Sequence, residues 1–258
     1  MNRDSEASGK NGVFHLGDLQ SGFNSNGTET IYIEFEPAFK KQLFAELLRI
    51  SRTVTNLSEE LGVKFTKLWD QLTRCPFSLS TLKKISKKLV ENGLLDYSLN
   101  NLEKRIFYMK SAGSKSEKLF HPRFPINFLT KEGMRFISHI YHDGGIGKGN
   151  KQPSYVNYSE EECSEFLRDS QILFGENNRH LTKNRDGTYS VVLPTIIGEI
   201  MISLGYTPGD KTKNNSKTFE FLNKIDDLIL VSEFLAKAFN DDGYVSKRGV
   251  GIQLSSLS

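Results

Sequence analysis

The chain has 258 residues, 37% of them hydrophobic with 18 Phe and 9 Tyr, and its 34 Lys and Arg against 31 Asp and Glu leave a net charge of +3. That length supports one large domain or two modest ones with real cores, and so small a charge confines any nucleic-acid footprint to a local patch. The only two cysteines, Cys75 and Cys163, cannot build a disulfide framework or a four-thiolate zinc site and read as reduced thiols of a cytoplasmic protein, while no apolar run reaches the roughly 20 residues of a membrane span.

In chain order, residues 1–27 are rich in Ser, Gly and Asn without a hydrophobic leader, and read as a disordered tail. Residues 30–36 alternate apolar and polar side chains, which predicts a strand. Pro37 to Arg49 has helical spacing of Phe39, Leu43, Leu47 and Leu48, with Pro37 favourable near the start. A short helix ending at Gly62, a second over residues 65–72 and a third over 79–89 come next. Helix, glycine turn, helix is the pattern of a helix-turn-helix module, placed here at residues 28–95. Its recognition helix would carry Lys64 and Lys67 toward DNA; a small helical bundle without DNA-binding role is the plainer alternative. Lys83, Lys84, Lys87 and Lys88 share one helical face, read as solvated. Residues 96–118 read as a polar linker with one short strand candidate beginning at Arg105.

The second region is predicted as helix 130–142, strands near 144–148 and 153–158, and helix 159–174. Strands near 179–183 and 187–192, helix 194–204 and helix 226–241 complete it, with Tyr244 and Val250 opening further strands. Two stretches in it share a layout: Phe136 to Gly144 and Leu235 to Gly243 are mostly apolar helical runs that end in Asp-Gly, at Asp143 and Asp242. A carboxylate at a helix C-terminus faces carbonyls that already make that end negative. Two such ends brought together form an electronegative pocket whose natural occupant is a divalent cation. Asp241, next to Asp242, ranks second.

These segments resemble the paired motifs of LAGLIDADG homing endonucleases, and the similarity extends over residues 120–258. Phe124 to Thr130 leads into the first motif as the family does; Tyr155 to Glu162, Phe166 and Leu173 to Gly175 resemble the strand and helix after it. Leu193 to Gly198 and Leu204 to Thr212 resemble the helix and basic loop before the second motif. The resemblance implies an α+β fold: a small helical domain, then an αββαββα repeat over 119–258 with a second, incomplete repeat, since about 15 residues remain beyond the second motif helix.

It also implies metal-dependent hydrolysis of double-stranded DNA, with Mg²⁺ held by Asp143 and Asp242 where the motif helices cross. The alternatives are a cleavage-inactive DNA-binding regulator on the same scaffold, nucleoid-associated in either case, and an RNA maturase. Lys148, Lys151, Arg179, Lys183, Arg185, Lys247 and Arg248 lie on or beside the hairpins, and Lys211 and Lys213 in the loop before the second motif, a set suited to phosphate contacts. Crossing helices need small side chains at their contact, and Ser138 supplies one. Lys237 stands where the family has Gly or Ala, and either snorkels outward or yields the contact to Ala236 and Ala238. His139, His142 and Asp143 invite a metal reading but lack the further His or Cys of a zinc site, so the histidines read as packing or surface groups.

Overall fold

The computed structural model describes residues 11–22, 29–113, 117–209 and 219–242, with side chains described as far as Asp241. The fold is mixed α+β with antiparallel sheets. Among the described residues no helix is long and apolar enough to cross a membrane.

The first half is built on a four-stranded sheet of order β3-β2-β4-β5, with β2 Ile31–Phe35, β3 Phe77–Ser78, β4 Ile106–Ser111 and β5 Lys118–Phe120. Alternation in β2 is literal: Ile31, Ile33 and Phe35 are buried, while Tyr32 and Glu34 are half-buried. Between β2 and β3 lie α1 Pro37–Ser51, α2 Val54–Leu61 and α3 Phe65–Thr73, and α4 Leu79–Glu91 comes after β3. Proline opens α1, where its missing N–H costs nothing. The Thr53 hydroxyl caps α2 by accepting from Asn56 N at 3.1 Å. Gly62 closes α2 in the left-handed region, φ 58°, and turns the chain into α3. Thus α2, the turn and α3 have the helix-turn-helix order read from the sequence.

Two expectations fail here. Residues 96–118 are no linker: β4 lies between β2 and β5 in the sheet, its Ile106 and Met109 are buried, and α5 Leu99–Leu102 precedes it. Residues 11–22 are no tail either. β1 Val13–Phe14 pairs with β6 Ile126–Asn127, and Phe14, Leu16 and Leu19 are buried. Buried Glu103 anchors this segment, accepting from Leu16 N at 2.9 Å and from His15 Nδ1 at 3.0 Å. The apolar residues among the Ser, Gly and Asn decided the outcome, because burying them outweighs ordering a short segment. Residues 1–10 and 23–28 lie outside the described part.

The lysine face of α4 is solvated only in part: Lys84 and Lys87 are exposed, while Lys83 and Lys88 are half-buried. Lys83 Nζ donates to the carbonyls of Gly17 and Leu19 at 3.0 and 2.7 Å, and burial lowers its pKa. Lys84 Nζ donates to Leu61 O at 2.9 Å, at the negative end of α2, and Lys88 pairs with Glu60 at 2.7 Å.

The second half runs α6 Lys131–Tyr141, β7 Gly145–Ile146, β8 Pro153–Asn157, α7 Glu160–Phe174, β9 Thr182–Lys183, β10 Tyr189–Val192, α8 Thr195–Ser203 and α9 Leu228–Asp242. Each helix begins within two residues of its predicted start. Thr130 caps α6 through Gly133 N, and Ser159 caps α7 through Glu162 N, with Glu160 to Glu162 favourable in that first turn. The hairpins join in one sheet of order β7-β8-β10-β9, with Tyr155 and Val191 facing inward opposite each other. α6 packs between α7 and α9, and α8 packs on β4, so one continuous core joins the two halves.

Candidate functional site

The site lies where α6, α7, α9 and β8 meet. Ser138 is buried on α6, and its hydroxyl donates across to Phe234 O on α9 at 2.7 Å. A side chain this small lets the two helix backbones approach, as the sequence predicts. Both helices therefore deliver their acidic C-terminal ends to one place. Asp143 lies just past α6, with its turn closed by Gly144 N donating to His139 O at 2.7 Å. Glycine is required there, because a Cβ at 144 would stand 2.6 Å from His139 O and 2.9 Å from Ser154 O.

The acid that reaches the Asp143 side from α9 is Asp241. Its carboxylate is buried, accepting from the Tyr155 hydroxyl at 2.6 Å and from His139 Nδ1 at 3.1 Å. Asn157 completes the connection, donating to Tyr155 Oη at 3.0 Å and to Asp143 Oδ2 at 3.3 Å. A polar chain Asp143, Asn157, Tyr155, Asp241 thus spans the two helix ends. Burial, reinforced by Asp241, Glu162 and Asp143, raises the Tyr155 pKa, so the phenol stays a donor. Asp242 closes α9, and its side chain lies outside the described part.

Behind this chain stands a charged cluster. Glu162 and Glu165, one turn apart on α7, face His139 on α6, whose Nε2 is 3.7 Å from Glu162 Oε2 and 3.7 Å from Glu165 Oε1. Those three residues bring together ligand atoms that could hold a metal ion. Lys237 does not intrude between α6 and α9. Its ammonium turns to α7, 2.9 Å from Glu162 Oε2 and in contact with Glu165 Oε1, while Ala238 takes a buried place on α9. Burial acts to lower the His139 pKa, but Asp241, Glu165 and Glu162 outweigh it and raise it. His139 and Lys237 hold the Glu165 carboxyl down at about 2 against the opposing effect of burial. Burial pushes the Cys163 thiol up to about 11, which makes it a packing group and not a nucleophile.

Further along α6, Arg135 grips buried Asp169 with two hydrogen bonds, at 2.8 and 2.9 Å, and reaches Glu233 of α9 at 3.4 Å. Charge pairing thereby fixes all three helices around the site.

The predicted DNA contacts divide. Lys148 and Arg185 are exposed in the hairpin turns, and Lys183 is exposed on β9, over the Tyr189 ring at 5.2 Å. Lys151 pairs with Glu199 at 3.0 Å and Arg179 with Glu117, so these two are engaged inside the fold. Lys64 and Lys67 are exposed at the start of α3, Lys67 being 3.9 Å from Glu29. Lys211, Lys213, Lys247, Arg248 and the strands predicted from Tyr244 lie outside the described residues. The open face of the sheet presents Ser154, Val156, Thr182 and Ser190, with the basic side chains at its ends.

Sequence reasoning missed Tyr155, Asn157, Glu162 and Glu165 as site residues and ranked Asp241 second. One signal was available: an i, i+3 acid pair at the start of the helix predicted after the hairpin. Comparison with protein-family models and with curated proteins returns no match.

Proposed function

We propose that this chain is a metal-dependent DNA endonuclease of the LAGLIDADG homing type, hydrolysing phosphodiester bonds of double-stranded DNA at the paired ends of α6 and α9. The observation that carries this reading is the meeting of two helix C-termini, each ending in acids, through a contact as small as Ser138 against Phe234 O. Carboxylates concentrated at the negative ends of two helices favour a divalent cation. Mg²⁺ at Asp143 and Asp242 would activate water and screen charge developing at the scissile phosphate. The repeat order α6 to α8, with α9 next as a second motif helix, fits the same reading. In it the sheet lies along a groove, Lys148, Lys183 and Arg185 meet phosphates, and α3 adds DNA contacts through Lys64 and Lys67.

A cleavage-inactive regulator of nucleoid DNA is the second reading, favoured by Asp241. Its carboxylate is buried and committed to Tyr155 and His139, so it is not available to a metal at the helix ends.

Incubating the protein with a randomised duplex library, in Mg²⁺ and in EDTA, separates the two. Recovery of cut molecules sharing a sequence, only with Mg²⁺ and lost in Asp143→Asn, supports the nuclease. Enrichment of bound but uncut duplex supports the regulator. Absence of both cleavage and sequence-selective binding rejects each.

A further inference from the structure

The His139, Glu162 and Glu165 cluster does something the helix-end acids do not: it offers a nitrogen ligand already oriented from behind. His139 is fully buried, and its Nδ1–H is fixed by Asp241 at 3.1 Å, while Nε2 has no hydrogen-bond partner. A buried, unsatisfied ring nitrogen is costly to keep. A carboxylate on the far nitrogen is how metal-ligating histidines are held in tautomer and orientation. Nε2 points at two carboxylates, each 3.7 Å away. Ligand atoms around a tetrahedral ion at about 2.0–2.2 Å stand roughly 3.3–3.6 Å from one another, so each histidine–glutamate pair needs to close by only a few tenths of an ångström, in a set whose atoms all lie within 4.8 Å.

We infer that His139 Nε2, Glu162 and Glu165 form a second divalent-cation site, of the Zn²⁺ or Mn²⁺ class, in which the metal exchanges with the Lys237 ammonium. Lys237 touches both glutamates and so supplies the positive charge that their pairing needs. An ammonium only donates to the glutamates, however, and leaves Nε2 without a hydrogen bond. A metal satisfies all three ligands and frees the lysine. One nitrogen and two carboxylates suit borderline ions better than Ca²⁺ or Mg²⁺, which take oxygen ligands. The site joins α6 to α7 beside the end of α9, and it is independent of whether DNA is cut.

The test is metal counting on the full-length protein. Chelator-stripped protein is dialysed against Zn²⁺, and separately Mn²⁺, and bound metal is measured for wild type, Asp143→Asn, Glu165→Gln and Lys237→Met. The expected result is that wild type binds one equivalent more than Glu165→Gln, and that Asp143→Asn keeps that equivalent. Lys237→Met removes the competing cation and should tighten binding about tenfold or more. Asp241→Asn, which weakens the carboxylate that orients the histidine and also accepts from Tyr155, should weaken binding about 10- to 100-fold. Lys237→Met also guards against misfolding, since it gains binding where a damaged protein would lose it. If uptake in Lys237→Met is absent, or no tighter than in wild type, the cluster is a charge-balanced network of the protein alone and the proposal falls. Equal uptake in wild type and Glu165→Gln places the metal elsewhere and overturns the proposal as well.

Discussion

Ser138 and Phe234 are 96 residues apart in sequence, yet the hydroxyl of one donates to the main-chain carbonyl of the other at 2.7 Å. A side chain bonded directly to the backbone of a neighbouring helix leaves no room for a longer one. Ser138→Leu should therefore force α6 and α9 apart and cost about 1–3 kcal/mol or more, while Ser138→Ala loses one hydrogen bond worth about 1 kcal/mol. Urea unfolding of the two variants checks the order. Equal losses would mean that the helices are not in close contact.

Arg135 and Asp169 form the buried pair of the helix trio, with the Asp169 side chain fully buried and that of Arg135 14% exposed. Arg135→Met strands a buried carboxylate and should cost about 3–5 kcal/mol, whereas Arg135→Met combined with Asp169→Leu should recover most of that loss. Chemical denaturation of both variants decides it. A double variant no more stable than the single one would show that the pair is held by something other than mutual charge.

The acid limb of stability should carry the signature of Glu165. Its carboxyl is held at about 2 in the fold against an ordinary 4.5. A depressed carboxylate contributes stability that is full above its unfolded pKa and is lost as pH falls from about 4.5 toward about 2, at most about 3 kcal/mol. His139 acts in the opposite sense: its pKa is raised, so its contribution fades as pH rises through the folded value. Stability measured across a pH series should thus fall on both sides, and Glu165→Gln should flatten the acid side. An unchanged acid limb in that variant would remove Glu165 from the account.

Trp69, the chain's single tryptophan, sits on α3 with 43% of its surface exposed, stacked on Phe65 at 6.3 Å. If α3 enters a DNA groove, adding duplex DNA should shift its fluorescence, and salt should reverse the shift by restoring counterions to the phosphates. Lys64→Ala with Lys67→Ala should weaken the effect. A spectrum indifferent to DNA at low salt would leave this helix as a structural or protein-contact element.

Helices of the second half were legible because local rules dominate there: caps at Thr130 and Ser159, apolar spacing, and glycines where the chain turns. Ser138 was legible for the same reason, since smallness at a crossing is a local property. The metal-competent cluster was not. His139 was weighed against its own helix neighbours, His142 and Asp143, while its partners Glu162 and Glu165 arrive from α7 and Asp241 from α9. Periodicity places each of these on a helix face but does not say which faces meet. β4 was misread for a related reason: the strand candidate was noticed, but only pairing with β2 and β5 turns a short apolar run in a polar stretch into the inside of a sheet.

β4 has a further consequence for how such a protein can be recombined. Its two neighbours come from opposite sides in sequence, β2 from residue 31 and β5 ending at residue 120, and α8 rests on it from the second half. A chimera that borrows only the amino-terminal helices, cut between residues 96 and 105, would take β4 out of its sheet and bare the underside of α8. A workable graft must run from residue 13 through β6 at residue 127 as one inheritable piece, since β1 pairs there.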